Sequence, residues 1–409
     1  MWYLSNGLEL RVPFESRTKD LPMHQFHHPN EISLVQGSYI EALFVDRPNR
    51  FVVKARTEDD SIVEAYLPNT GNLSDLLFPG ARMVLETPLS PGKRKTHLTA
   101  SAVYRNDRLI GLSAVKATSV AAFLIENMMV PGLEETHLIG SEVRFGRHRF
   151  DFVIEDVRGK KFFMEVKSVS SCVNGIAMFP DAITVRGSKH LLELAKASEP
   201  DANSVVLFLV QGDKTDLFIP NYHTDLSFAT TMLSTRNYVR YIPVAVEWES
   251  NMTLSDSVKL LDIPWDFVES QIVDTGAYLL ILRVDYPSVI NVGSLGNLEI
   301  TAGYYIYVGS GMQSLSARIA RHMRKRKQFR WHVDYLRKIA NHVQSIPVRS
   351  SRSIEIDLAS EISRIYISCF PGFGASDSPL STHLFYSSTH PSNDKAFNSI
   401  LHRFRFTRP

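Results

Sequence analysis

The segment EVRFGRHRFDFVIEDVRGKKFFMEVK, Glu142 to Lys167, contains β-rich runs at Glu142 to Phe145 and Phe150 to Ile154, and a third opening at Phe162 and continuing to Val169. Charged or Gly-containing turns separate the runs, as between neighbouring strands. Asp151 lies in the second run, and Glu165 in the third, two residues before Lys167. Side chains alternate faces along a strand, so Glu165 and Lys167 point the same way. Pairing of the second and third runs gathers two carboxylates and an ammonium on one face. This oxygen-only donor set suits Mg²⁺, or Mn²⁺ in its place, because such an ion keeps waters and accepts a phosphate ligand. A neighbouring lysine can orient or deprotonate an attacking water, or neutralise the phosphate. The bland alternative is a solvated strand face with Glu and Lys side by side.

An acid followed at a distance by E-x-K resembles the core of the PD-(D/E)XK nuclease fold. Downstream come MFPDAITVRGSKHLLEL (Met178 to Leu194) and SVVLFLVQ (Ser204 to Gln211); upstream stand PNTGNL (Pro68 to Leu73) and PGKRKTHLT (Pro91 to Thr99). With EVKSV, these motifs resemble the sugar fermentation stimulation protein family over roughly residues 37–247. That resemblance implies an OB-type β-barrel joined to a PD-(D/E)XK nuclease-like α/β domain, and DNA as the partner. A metal set of Asp151, Glu165 and one more acid follows from it, with Lys167 assisting the attacking water. Two acids compete for the third place: Glu126, in the helical pattern VAAFLIENMM, and Glu142. Glu142 is preferred because it sits beside Arg144 on a strand leading to Asp151. Where the family usually has His two residues before the Pro of PNTG, this chain has Tyr66.

Composition bounds the rest. A chain of 409 residues is too long for one ordinary core and calls for two or three domains. The formal net charge of +2 requires any nucleic-acid surface to come from local clustering, and the 44% hydrophobic content is that of a globular protein. No apolar run is long enough to span a bilayer. The start MWYLSNGLELRVPFESR lacks a secretory pattern, and Cys172 and Cys369 form no metal-type spacing, which together give a cytoplasmic expectation.

In order along the chain, residues 1–30 read as an N-terminal extension whose His24, His27 and His28 lie among polar residues. Residues 31–105 alternate like the short strands of a barrel. Within them Lys93, Arg94 and Lys95 form a cationic turn suited to phosphate, with an ordinary solvated turn as the alternative. Residues 106–248 form the nuclease-like domain. Arg186, Lys189 and His190 lead into a helix and would bind a phosphate, unless Ser188 merely caps that helix. Residues 249–274 read as a linker, 275–390 as a further α/β domain and 391–409 as a tail.

In that further domain Gly276-Ala277-Tyr278 and Tyr307-Val308-Gly309 stand where GIY-YIG nucleases carry their two naming motifs. Arg318 and His322, four residues apart, share a helix face, and WHVDYL follows at Trp331. The segment resembles a GIY-YIG-like domain of unknown function. By that resemblance Tyr278 or Tyr307 serves as base or positions water, Arg318 stabilises phosphate charge and Glu355 holds one divalent metal, with Glu361 competing for Glu355's place. The two cysteines that such domains often carry after GFGxSD are replaced by Ser378 and Leu380, leaving Asp377 and His383. The run RIARHMRKRKQFR holds Arg321, Arg324, Lys325 and Arg326 and is the densest cationic stretch, suited to a DNA backbone. The expectation is an α+β multidomain DNA-binding protein with a Mg²⁺-dependent phosphodiester hydrolysis site. Its rivals are a non-catalytic DNA-binding regulator of sugar metabolism genes and an RNA- or nucleotide-processing enzyme.

Overall fold

A computed structural model describes residues 31–89, 96–146, 148–198, 204–212, 214–376 and 378–409. The barrel is built from β1 (Tyr39–Asn49), β2 (Val52–Arg56), β3 (Ile62–Tyr66), β4 (Arg82–Glu86) and β5 (Leu98–Arg105), ordered β3-β2-β1-β4-β5. A parallel pairing of Ala65 with Leu98 closes β3 on β5. Alternation sends Val53, Ala55, Ala65, Met83 and Leu85 inward, and all are buried. A further strand, β6 (Arg108–Gly111), forms a hairpin with β5, so this unit runs beyond the predicted boundary at residue 105.

The second domain begins with α1 (Ala114–Glu126), whose N-cap Ser113 accepts the Lys116 N–H. Its sheet contains the three predicted runs as β7 (Thr136–Phe145), β8 (His148–Asp156) and β9 (Lys161–Val169), paired antiparallel in that order. After the short strands β10 (Cys172–Val173) and β11 (Ile176–Phe179) and helix α2 (Val185–Ala197), β12 (Ser204–Gln211) runs parallel to β9. Next come β13 (Leu217–Pro220), α3 (Leu226–Ser234), β14 (Arg240–Trp248) and β15 (Leu254–Leu260), giving the sheet order β15-β14-β12-β9-β8-β7. Its two faces bury separate cores. Phe152, Ile154, Met164 and Val166 meet α1 residues such as Val120 and Leu124, whereas Val153 and Phe163 share the other face with Leu191 and Leu194 of α2. The predicted linker at 249–274 is therefore structural: β15 is the edge strand on β14, and α4 (Trp265–Gln271) packs beside α3. The hydrophobic alternation that marks a buried strand is missing from β15 because both its faces are largely open.

The third domain has β16 (Gly276–Val284), the hairpin β17 (Ser288–Asn291) and β18 (Asn297–Ile300), and β19 (Gly303–Ser310). They are followed by α5 (Leu315–Met323), α6 (His332–Ile339), β20 (His342–Arg349), α7 (Glu355–Ser363), β21 (Ile367–Ser368), β22 (Leu384–Ser387) and α8 (Lys395–Arg405). The antiparallel order is β20-β16-β19-β22-β21. Two glycines of the naming motifs are demanded by geometry. Gly276 has φ of +133°, and a Cβ on it would stand 2.3 Å from the Val348 carbonyl oxygen; one on Gly309 would stand 2.5 Å from the Tyr278 hydroxyl. The predicted tail is the helix α8, with Phe397, Ile400 and Leu401 buried against β16, β19 and α7 residues. Among the described residues no helix is long and apolar enough to cross a membrane.

Candidate nuclease-like sites

The β8–β9 register pairs Phe152 with Met164 and Val153 with Phe163. One further step places Asp151 opposite Glu165, and directly opposed antiparallel residues point to the same face. The ladder ends there because the Asp151 Oδ2 accepts the Val166 N–H at 2.8 Å, taking the place of a strand partner. Glu165 is buried on the α2 side. Its Oε1 accepts from Lys167 Nζ at 2.5 Å and lies 2.6 Å from His190 Nδ1, while its Oε2 is buried without a hydrogen-bond partner. Burial opposes ionisation of Glu165, but the His190 hydrogen bond and the Lys167 charge hold its pKa below the ordinary value. Asp151 goes the other way: burial and the adjacent Glu165 charge raise its pKa. Two carboxylates forced together, one with a bare buried oxygen, fit a divalent cation, which would relieve their repulsion and partner that oxygen. Among the described residues no three His, Cys, Asp or Glu side chains are grouped to hold a metal. A cation here would therefore draw its other ligands from water and phosphate, the habit of Mg²⁺.

Neither third-acid candidate joins this pair. Glu142 has a positive φ of 50° within β7, and its exposed carboxylate pairs with Arg149 at 3.2 Å, so its metal assignment is corrected. The Glu126 Oε1 instead accepts the Leu138 N–H at the start of β7. His190, expected from the sequence to meet phosphate, is instead held by α2 with its Nδ1 against the Glu165 carboxylate. The N-cap of α2 is Thr184, which accepts the Gly187 N–H; Ser188 does not cap the helix and is buried. Arg186 is exposed and donates from Nε to His190 Nε2 at 3.2 Å, while Lys189 faces solvent. The predicted cationic turn Lys93, Arg94 and Lys95 lies outside the described residues.

In the third domain, residues far apart in sequence converge on a cavity of about 390 Å³ lined by Tyr278, Tyr307, Ser310, Arg318, Arg330, Trp331, His332, Glu355, Gly374 and Ser376. It contains Tyr278, Tyr307, Arg318 and Glu355, four of the five site residues predicted there. Burial and the neighbouring Tyr307 push the Tyr278 phenol above its ordinary pKa, so at neutral pH it is a hydroxyl donor. Burial works against ionisation of Glu355, but hydrogen bonds with His383 and Ser310 keep its pKa below the ordinary value. The His383 Nδ1 stands 3.1 Å from Glu355 Oε1, and its Nε2 is 2.8 Å from Ser378 Oγ. Glu361, the competitor, pairs with Arg364 and Arg403 instead. Asp377 lies outside the described residues.

His322, the fifth predicted residue, is corrected. It is buried behind the cavity, with ring centroids 5.6 Å from Tyr278 and 5.4 Å from Trp331. Arg321 is corrected as well. It grips the fully buried Asp334 with two bonds of 3.1 and 2.9 Å and lies over Trp331, so it organises the fold instead of facing DNA. Lys327 also reaches Asp334, at 2.8 Å. The cationic run leaves its helix at Met323, and Arg324, Lys325 and Arg326 are exposed on the loop that follows. The Trp331 ring, covered by Arg318 at 4.6 Å and Arg321 at 4.1 Å, is engaged within the protein.

The barrel, the sheet with its opposed acids and the five-stranded module define a multidomain α+β protein with an OB-type barrel and a nuclease-like α/β domain. Residues 45–112 match the SfsA N-terminal OB domain, 116–252 the Sugar fermentation stimulation protein RE domain, and 277–406 the Domain of unknown function DUF123. A sugar fermentation stimulation protein homolog of Clostridium novyi (strain NT) is 35% identical over 196 residues, covering 48% of this chain and 85% of the relative. One of Clostridium botulinum (strain Alaska E43 / Type E3) is 34% identical over 226 residues, covering 53% and 94%. The chain belongs to the sugar fermentation stimulation protein family. The solved structure of the Pyrococcus furiosus member in complex with Ca²⁺ is 25% identical, with a TM-score of 0.51, covering 57% of this chain and 99% of that one.

Proposed function

We propose that this protein binds DNA and hydrolyses its phosphodiester bonds with a divalent cation held by Asp151 and Glu165. One observation carries the reading: the buried, unpartnered Glu165 Oε2 beside a second carboxylate of raised pKa. The Pyrococcus furiosus relative was solved with Ca²⁺, which shares with Mg²⁺ a preference for oxygen ligands and so supports a cation here. When bound, such an ion polarises the phosphoryl oxygen and lowers the pKa of its water. The chain's own residues do the rest. The Val166 N–H fixes Asp151, and Lys167 and His190 hold Glu165 by Oε1. The Lys167 ammonium, two residues from Glu165 on the same face, neutralises phosphate charge or steadies the attacking water. Arg186 and Lys189 present exposed cations on α2, the helix that carries His190, and Arg324, Lys325 and Arg326 supply backbone contacts elsewhere.

The third-domain cavity supports a second centre of the same class. There Glu355 is the single carboxylate for a divalent ion, Arg318 meets developing phosphate charge and Tyr278 or Tyr307 donates to the reacting oxygen.

One contact favours the rival regulator reading. With Lys167 Nζ only 2.5 Å from Glu165 Oε1, the ammonium already satisfies part of the charge a cation would satisfy. The test is cleavage of plasmid and single-stranded DNA with Mg²⁺ or Mn²⁺, comparing wild type with Lys167→Ala and Arg318→Ala, while band shifts report binding separately. Loss of cleavage in either variant with binding retained assigns that centre. Binding without cleavage in the wild type under both metals refutes hydrolysis and leaves the regulator.

A further inference from the structure

His190 touches a prospective cation ligand on one side and a prospective phosphate ligand on the other. Its side chain is 8% exposed, walled edge-on by Phe150 at 6.5 Å and His148 at 5.9 Å between centroids. Arginine has no acceptor, so the Arg186 Nε–H must donate to His190 Nε2 across 3.2 Å. With Nε2 occupied as acceptor, the ring proton sits on Nδ1 and is donated to Glu165 Oε1 at 2.6 Å. Lys167 donates to the same oxygen. Both donors therefore fall on Oε1, and Oε2 alone is left bare. The outer nitrogens of Arg186 take no protein partner among the described residues, and the residue is exposed.

We propose that Arg186 and His190 form a relay that positions Glu165, so that phosphate held by the outer face of Arg186 and a cation held by Glu165 strengthen each other's binding. This rests on the reading of the sheet site as a cation centre. A phosphate on Arg186 fixes the guanidinium, and its Nε then fixes the imidazole plane. A fixed imidazole holds the carboxylate with its free oxygen presented, so ordering done by one ligand need not be repeated for the other. Linkage makes the effect reciprocal. The charged and titratable groups facing the imidazole are Glu165 and Lys167 from β9, Asp151 and His148 from β8, and Arg186 from α2, with Glu193 of α2 lying 3.8 Å from His148. His190 is a positioning residue here, because it acts through Glu165.

Two measurements test the relay. Nitrogen-15 NMR of histidine-labelled, metal-free protein is expected to show the His190 ring proton on Nδ1 and a bare Nε2. A mixture of tautomers is expected in Arg186→Met, and an Nε2–H or doubly protonated ring in the wild type overturns the relay. Mn²⁺ binding followed by electron paramagnetic resonance is expected to weaken about 10- to 100-fold in His190→Ala. It should recover most of that loss in His190→Asn, whose amide N–H can take the place of Nδ1–H. A phosphorothioate DNA oligonucleotide is expected to tighten Mn²⁺ binding at least about fivefold in the wild type but not in Arg186→Met. His190→Ala binding Mn²⁺ like a wild type of equal melting temperature overturns the proposal, as does an equal DNA effect in Arg186→Met. Failure of the wild type to bind Mn²⁺ overturns the cation reading and the coupling with it, while the NMR result still decides whether His190 positions Glu165.

Discussion

Replacing Asp334 by Asn isolates the charge that holds the cationic segment together. The carboxylate is completely buried and accepts from Arg321 at 3.1 and 2.9 Å, from Lys327 at 2.8 Å, and from the N–H groups of Arg330 and Trp331 at 2.9 and 3.2 Å. Burial pushes its pKa up, yet the His322, Arg321 and Lys327 side chains together drive it far below the carboxylate range. Asparagine keeps the volume and one acceptor, so no cavity opens, but the buried Lys327 ammonium and the partly buried Arg321 guanidinium lose their counter-charge. Breaking a buried ion pair from one side costs about 3–5 kcal/mol. A domain of 130 residues, as matched at 277–406, unfolds with about 2.1 cal/mol/K per residue, so that cost lowers its melting temperature by roughly 11–18 °C. Calorimetry with Trp331 fluorescence as the local probe reads the shift. The sign of the pH dependence is also set. A depressed acid gives its stability above the unfolded pKa of about 3.9 and loses it only as pH falls through the lower folded value, so the gap between the proteins should stay flat from pH 5 to 8. A drop below about 3 °C, which is the behaviour of an exposed pair, or a gap that closes within that pH range, which an acid of depressed pKa does not produce, refutes the reasoning.

Three other outcomes follow from contacts described here or beside them. Glu165→Gln should lower the Asp151 pKa, since the Glu165 charge helps to raise it; carbon-13 NMR titration reads this, and an unchanged or higher value counts against a shared pocket. Asp181 accepts the Leu73 N–H at 3.3 Å, and burial with the nearby Asp75 raises its pKa to about 6. A raised acid stabilises fully below about pH 3.9 and loses that contribution as pH rises through 6, so Asp181→Asn should add about 1–2 kcal/mol at pH 8 and flatten the profile between pH 4 and 6 in urea titrations; a variant less stable at pH 8 rejects this. The buried His223 accepts the Arg349 N–H at 2.8 Å and donates to the Arg405 carbonyl at 3.0 Å, joining the second and third domains. His223→Ala should cost about 2–4 kcal/mol and speed hydrogen exchange in α8, and unchanged exchange there would remove its role in docking.

Local patterns carried much of the architecture. Alternation at residues 150–154 and 162–169 located β8 and β9, and opposed register explains why Asp151 and Glu165 share a face. What alternation could not show was partner choice. Arg321 looks like its neighbours in the cationic run, and only the fold reveals Asp334, thirteen residues on, as its acceptor. The convergence of Tyr278, Arg318 and Glu355 came from motif resemblance, because no spacing rule joins residues on β16, α5 and α7. The sequence places His190 only in a phosphate-binding group with Arg186 and Lys189, and His383 only beside Asp377, because their carboxylate partners Glu165 and Glu355 are distant in the chain. The spacing of Phe397, Ile400 and Leu401 did carry a readable helical signal for α8, whereas β15 carried almost none because it is an exposed edge.

Helix α8 touches all three domains. Asn398 donates to the Ser74 carbonyl in the barrel, 324 residues away, and Phe406, the residue that caps the helix, completes an apolar cluster with Ile176, Met178 and Ile219 of the second domain. A ribosome therefore releases the barrel long before its distant brace exists. The first two domains must wait, with an apolar hollow uncovered, for a helix made much later to seal them; during synthesis that hollow is where a chaperone would have most to protect.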